Sequence, residues 1–269
     1  MPPTPDRAAE CPPGWPEIDR LDPATPVAVE PIGGWFAAGK TAGDYVLAVL
    51  LLVPGLPLIG LCWLGVKLTS AGPGFYRQTR LGRNGRPYRI IKLRTMSLDA
   101  EAGGATWAAL KGDSRVTGFG RFLRATHLDE LPQLFNVLAG HMSLVGPRPE
   151  RPEMIHLKGL NSLVPGYRER LRVRPGVTGL AQVQLPADTD VRSVRHKVAY
   201  DLYYIGHASP WLDLRVMAAT AFKACGMGPR LLRRVFRLPP RERVAEVFRA
   251  NTLPPAPPAA RPSSRLQPA

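Results

Sequence analysis

The 269-residue chain carries 36 Lys and Arg against 21 Asp and Glu, a net charge of +15. Such a surplus of positive charge calls for a polyanionic partner: nucleic acid, an anionic membrane surface or a phosphorylated substrate. A hydrophobic fraction of 45% excludes disorder throughout, and three widely separated cysteines argue against a zinc site or a disulfide framework.

Proline marks both ends. Nine of the 30 prolines fall in residues 1–31 and six in 251–269, so residues 1–40 and 251–269 are predicted to be disordered tails. Residues 41–70 are predicted to form a membrane helix. Within them, Tyr45 to Val66 contains no charge over 22 positions. As a helix this run would measure about 33 Å against a hydrocarbon core of about 30 Å. Pro54-Gly55-Leu56-Pro57 interrupts it, and each proline removes a backbone donor, so a bend or break is expected there. A kinked spanning helix and a re-entrant hairpin returning to the same face both fit. Between Lys67 and Arg124, 12 Lys and Arg face three Asp and Glu, a basic belt that favours the cytoplasmic side.

Residues 71–225 read as a globular domain. Gly74 to Met96 is predicted to be a small hairpin, because Asn84-Gly85 is a strong tight-turn signal. Its arginines and Lys92 read as a solvated face or, beside a membrane segment, as ligands for phosphate. Further on, Leu131, Leu134, Phe135 and Leu138 recur at helical spacing, and Pro132 is tolerable only in a first turn. A helix is therefore predicted to begin near Leu128 or Asp129, which puts Asp129 and Glu130 at its N-terminus.

Two readings of that acidic pair stand. Thr126-x-x-Asp129 can be a variant capping box. Alternatively, Asp129 is an ionised nucleophile for phosphorus, with Glu130 placed to hold a divalent cation. A glycosidase-type pair is set aside, since adjacent residues on a helix diverge instead of facing each other across a bond. Downstream, Arg148 lies between Pro147 and Pro149, where restricted backbone suits a bidentate phosphate ligand. Arg172 and Arg174 lead likewise into a Pro-Gly turn. Tyr200 to Lys223 is predicted to be an aromatic helix, a Ser-Pro break and a second amphipathic helix. The scattered histidines have no metal spacing. Residues 226–250 form a basic amphipathic stretch suited equally to lipid headgroups or to solvent. No nucleic-acid-binding module is recognisable.

Four segments in order, IIKLRTM, RFLRATHLDELPQLFNVLAGHMSLVGPRPE, RVRPGVTGLAQV and YDLYY…LDL, resemble the bacterial sugar transferases, the monotopic polyprenol-phosphate phosphoglycosyl transferases. The resemblance covers about Lys40 to Lys223. It implies an α+β, mainly helical catalytic domain with a small β-hairpin, anchored to the bacterial inner membrane by one N-terminal re-entrant helix, with the domain and both tails on the cytoplasmic face. It also implies that Asp129 attacks a UDP-sugar, releasing UMP, and that the phosphosugar passes to undecaprenyl phosphate, the initiating step of a surface glycan. Glu130 would bind Mg²⁺. Lys92, Arg94, Arg124, Arg148 and Arg174 would contact substrate or lipid phosphate. A catalytically silent membrane scaffold for polysaccharide assembly is the alternative. The chain departs from the family pattern at Leu56, Leu180 and His141, and QLPADTDVRS replaces the usual segment after GLAQV. The departures at Leu180 and QLPADTDVRS bear on which sugar is used, and that at Leu56 on where the membrane segment bends.

Overall fold

The computed structural model describes residues 15–100 and 112–252. The predicted tails over residues 1–14 and 253–269 lie outside them.

A short helix α1 (Pro16–Asp19) precedes a 35-residue helix α2 (Trp35–Thr69). This is the one helix among the described residues long and apolar enough to cross a membrane. It runs on through Pro54 and Pro57, where a bend or break was expected, without a break. Each proline deletes one ladder bond, and the bonds on either side keep the helix continuous. Asp44, Ala48, Leu52, Ile59, Cys62 and Val66 are buried, a stripe at intervals of three, four and seven that follows one face of α2. Val46, Leu50, Val53, Leu61 and Leu68 stay exposed.

The hairpin forms as predicted. Strands β1 (Phe75–Leu81) and β2 (Pro87–Leu93) pair antiparallel, Phe75 opposite Leu93 and Leu81 opposite Pro87. Asn84 and Gly85 both adopt positive φ, 56° and 72°, as a tight reversal matched to strand twist requires. Helix α3 (Gly118–Thr126) follows, its N-terminus capped by Thr117, whose Oγ1 accepts from Gly120 N at 2.9 Å.

The predicted helix over the acidic pair starts later than expected. Leu128–Glu130 is a single 3-10 turn, and helix α4 (Gln133–Leu138) begins after Pro132. Thr126 does not cap it: its hydroxyl donates back to Phe122 and Leu123 carbonyls. The capping-box reading is therefore wrong. His127, at φ 57°, turns the chain between α3 and the 3-10 turn. The buried face of α4 is Gln133, Leu134, Asn136 and Val137, while Phe135 and Leu138 stay partly exposed.

Strand β3 (Ser143–Val145), helices α5 (Pro152–Leu157) and α6 (Leu160–Leu163), strand β4 (Gly176–Thr178) and helix α7 (Leu180–Gln184) follow. β3 and β4 pair parallel, Val145 opposite Thr178. Helix α8 (Val191–His207) is the centre of the core, with Val194, Val198, Leu202 and Ile205 buried, and Asp190 and Ser193 form a capping box at its start. Helix α9 (Pro210–Ala224) begins at the predicted Ser-Pro break, where Ser209 Oγ accepts from Leu212 N.

Helices α10 (Pro229–Val235) and α11 (Arg241–Ala250) account for the basic stretch. Leu232, Val244 and Phe248 are buried, so this segment is neither merely solvated nor wholly free for lipid; Leu231 and Val235 point outward.

The expected tail through residue 40 also needs correction. Trp15 and Ile18 are buried, and the Trp15 ring stacks on Tyr200 with centroids 5.7 Å apart. Asp19 binds Arg192 and His196, each at 2.8 Å. Ala28 N donates to Asn251 O, so the two ends of the described chain meet across the core. Proline content hid these few well-placed apolar residues, whose partners lie about 180 positions away.

Candidate active site

Three elements converge on one cleft of about 570 Å³. The hairpin brings Lys92 on β2, the turn after α3 brings Asp129 and Glu130, and the loop after β3 brings Arg148. Their placement is fixed by hydrogen bonds that local periodicity does not reveal. Asn136 on α4 uses its side chain as a substitute strand partner for β2: Oδ1 accepts from Ile91 N at 3.0 Å and Nδ2 donates to Arg89 O at 2.8 Å. That bridge holds β2 beside the acidic turn.

The Arg148 loop is held differently. Four successive carbonyls each accept a bond: Pro147 from Gly176 N, Arg148 from the Arg170 guanidinium, Pro149 from the Arg80 guanidinium and Glu150 from Leu81 N. Arg170 is itself buried and paired with Asp201 at 2.7 Å. At Gly176 the backbones of the loop and β4 come so close that a Cβ would lie 2.1 Å from Gly146 N, so glycine is required. Proline supplies rigidity, as expected, and tertiary donors supply the position.

The two carboxylates are not equivalent. Glu130 Oε1 lies 2.5 Å from Lys92 Nζ and 3.5 Å from an Arg148 nitrogen. Burial would raise the Glu130 pKa, but Lys92 and Arg148 outweigh it and hold the carboxyl down at about 2. The Arg148 guanidinium is pushed up by Glu130, and Lys92, although lowered by burial, is supported by the same carboxylate. Asp129, only 8% exposed, has no hydrogen bond or ion pair among the described residues. Burial raises it to about 6, with Glu130 adding to the rise and Lys92, Arg124 and Arg148 opposing it. Adjacent carboxylates are thus split, one locked as an anion and one poised within the cationic cleft.

Of the other predicted residues, Arg124 lines the cleft and donates from Nε to Thr95 Oγ1 at 2.8 Å. Arg94 also lines it, yet its guanidinium is engaged with Pro73 O at 2.7 Å and with Ser70 O and Oγ at 3.0 Å, at the junction of α2 and β1. Arg174 does not line the cleft; it donates to Thr41 Oγ1 at 3.3 Å beside the start of α2. Arg80, read in the sequence only as one of the hairpin arginines, also lines the cleft, as do Arg115 and Asp188, which sequence reasoning missed. The alternation of Gln78 and Arg80 on one face of β1 would have singled Arg80 out; Asp188, in an irregular segment, carried no such signal.

No group of three or more His, Cys, Asp or Glu is arranged for a metal among the described residues. Mg²⁺ does not need one, since it is commonly held by one or two carboxylates plus substrate phosphates. Glu130, with Asp129 next to it, meets that requirement, and only one of the Glu130 oxygens is engaged by Lys92 and Arg148.

Residues 35–226 match the model of the family described as bacterial sugar transferase. The chain belongs to the bacterial sugar transferase family. It is 42% identical over 194 residues to the UDP-glucose:undecaprenyl-phosphate glucose-1-phosphate transferase of Xanthomonas campestris pv. campestris, an alignment covering 71% of this chain and 40% of the relative. It is 47% identical over 183 residues to the protein of that name from Caulobacter vibrioides, covering 67% of each. It is 41% identical over 182 residues to the exopolysaccharide production protein PSS of Rhizobium leguminosarum bv. phaseoli, covering 64% of this chain and 86% of the relative. The chain thus spans less than half the length of the Xanthomonas relative it matches. The family match starts at Trp35, so the contacts made by residues 15–34 lie outside the matched region.

Proposed function

We propose that the protein transfers a hexose-1-phosphate from a UDP-hexose to undecaprenyl phosphate at the cytoplasmic face of the bacterial inner membrane. The observation that carries this reading is the split acidic pair: an unpartnered Asp129 among Lys92, Arg124 and Arg148, next to a Glu130 already neutralised. A carboxylate without a partner is free to attack, and cations around it are where negative charge develops in phosphoryl transfer. The names of the relatives support UDP-glucose as the first donor to test.

The chemistry proceeds in two displacements. An Asp129 oxygen attacks the β-phosphorus of the UDP-hexose, the bond from that phosphorus to the bridging oxygen breaks, and UMP leaves with the electron pair. An oxygen of undecaprenyl phosphate then attacks the phosphorus held on Asp129, releasing the carboxylate and forming undecaprenyl diphosphohexose. Arg148 and Arg124 stabilise the equatorial oxygens, and Lys92 holds Glu130 in place. Mg²⁺, bound through Glu130, would neutralise charge on the diphosphate.

A re-entrant seating of α2 fits this role. At its N-terminal end Lys40 binds Asp213 at 2.6 Å and Asp44 accepts from Ser143 Oγ at 2.6 Å; at its other end Val66 packs with Leu93 and Leu123. Both ends of α2 are therefore fastened to one domain, which supports a seating with both ends on one side of the bilayer. Such a helix brings the cleft to the headgroup level, within reach of a lipid phosphate and a soluble nucleotide.

The test is UMP release by purified protein in nanodiscs supplied with Mg²⁺, undecaprenyl phosphate and single UDP-hexoses, with Asp129→Asn alongside. UMP formed by the wild type and not by the variant supports the reading. Release that survives in the variant overturns the covalent step, and silence with every donor favours a scaffold.

A further inference from the structure

Strand β1 runs along the cleft from Phe75, opposite Leu93, to Arg80, opposite Tyr88, and the Arg80 end carries different chemistry. There Arg80, Glu150 and Asp188 line it together with the apolar Met154, Leu160 and Val194. Arg80 donates from one terminal nitrogen to Pro149 O and from the other to Gln78 Oε1, which leaves its Nε–H buried with no acceptor among the described residues. Asp188 Oδ2 pairs with Lys197 Nζ at 2.9 Å, and its Oδ1 is buried with no donor among them. One orphan donor and one orphan acceptor, both closed to bulk water, therefore sit on residues that line the same cleft. Buried polar atoms without partners are rare and destabilising unless a ligand satisfies them.

We propose that this end is the hexose subsite, where Asp188 accepts from a sugar hydroxyl and Arg80 donates to one, and that Asp188 helps to set which hexose is taken. The inference rests on the transfer reading above and adds the position of the sugar. A hydroxyl is both donor and acceptor, so it answers both orphans, whereas a phosphate offers only acceptors and would face Asp188 and Glu150. The cationic end at Lys92, Arg124 and Arg148 suits phosphate instead.

Ribose also has hydroxyls, and the order of the two displacements separates it from the hexose. The hexose stays bonded to phosphorus through both steps and needs one lasting subsite. UMP leaves, and undecaprenyl phosphate must reach the same phosphorus from the side UMP vacated. That side has to open towards the membrane. The cleft end at Pro73, Phe75 and Leu98 adjoins the C-terminus of α2 and exposes Phe75 and Leu98. The Asp188 end is backed by Leu160 and Val194, both buried in the domain core. The nucleotide and the lipid thus alternate at the first end, and the hexose remains at the second. Asp188 lies in the segment QLPADTDVRS, where this chain departs from the pattern it otherwise resembles.

The experiment compares full-length wild type and Asp188→Asn in nanodiscs, measuring affinity for UDP-glucose, UDP-galactose and UMP by calorimetry and UMP release in parallel. The variant should lose about 10- to 100-fold in affinity and kcat/KM for the preferred UDP-hexose, as expected for one hydrogen bond to a charged group. Its preference between the two hexoses should narrow, while UMP affinity and the KM for undecaprenyl phosphate stay unchanged. Retained UMP affinity also certifies folding. Should the variant not fold, Asp188→Glu, which keeps the charge opposite Lys197 and moves the acceptor, is read the same way. An equal loss for UMP and UDP-hexose, or no loss for either, overturns the subsite. If wild type prefers UDP-hexose to UMP in an Asp188-dependent manner but releases no UMP, the transfer reading fails and the subsite stands.

Discussion

Lys92 Nζ sits 2.5 Å from Glu130 Oε1 and makes no such bond to Asp129, although the two acids are neighbours in the chain. This choice divides the pair into a fixed anion and a carboxylate open to the cleft. Most of what is testable about the site follows from it.

Asp129→Asn should abolish UMP release, by at least about a thousandfold, without loss of fold. The sign of the stability change is the more telling readout. The folded-state pKa of Asp129, about 6, lies above its ordinary 3.8. Its contribution is therefore fully present below about pH 4 and lost as the pH rises through about 6. At pH 8 the buried charge is a burden, so the amide variant should melt at the same temperature or higher in calorimetry.

The same ionisation should govern the pH dependence. Below about pH 6, kcat/KM for the UDP-hexose should fall about tenfold per unit, because the protonated acid cannot attack. A flat profile between pH 5 and 8 would remove Asp129 from the nucleophile's role.

Glu130→Gln should behave oppositely in stability. Glu130 is held down at about 2, so its contribution is present above its ordinary 4.5 and lost as the pH falls towards 2. Removing the charge leaves Lys92 buried without its carboxylate, at a cost of about 3–5 kcal/mol at neutral pH. Chelation of Mg²⁺ should silence the wild type, with restoration by added Mg²⁺, and the variant should no longer respond to the ion at millimolar concentrations.

Arg170 does not itself line the cleft but holds the Arg148 carbonyl at 3.0 Å and pairs with Asp201 at 2.7 Å and Glu150 at 3.9 Å. Arg170→Met strands Asp201, whose carboxyl burial already raises to about 6 against the pull of Arg170. The expected destabilisation is about 3–5 kcal/mol by chemical denaturation. Adding Asp201→Leu should recover most of the stability, yet not the activity, because Arg148 remains unheld.

For α2, single cysteines at Gly33 and Ala71, placed in a variant with Cys11, Cys62 and Cys225 replaced by Ser, should react with an impermeant maleimide from the same side of sealed vesicles. Labelling from opposite sides would establish a spanning helix and contradict the seating proposed for the cleft.

What the sequence by itself determined was local. The Asn84-Gly85 reversal, the long apolar helix, the Ser209-Pro210 break and the family motifs around Asp129, Glu130 and Arg148 depend on backbone preferences and hydrophobic period, which neighbours in the chain decide. The tertiary structure decided the rest. It set the acidic pair in a 3-10 turn ahead of α4, put Arg94 on backbone carbonyls and Arg174 outside the cleft, and folded residues 15–34 onto α8. It also separated Asp129 from Glu130, through a lysine 38 positions away. Charge pairing and desolvation act through space between residues that only folding brings together, so a reading of neighbouring residues could identify the pair but not divide it.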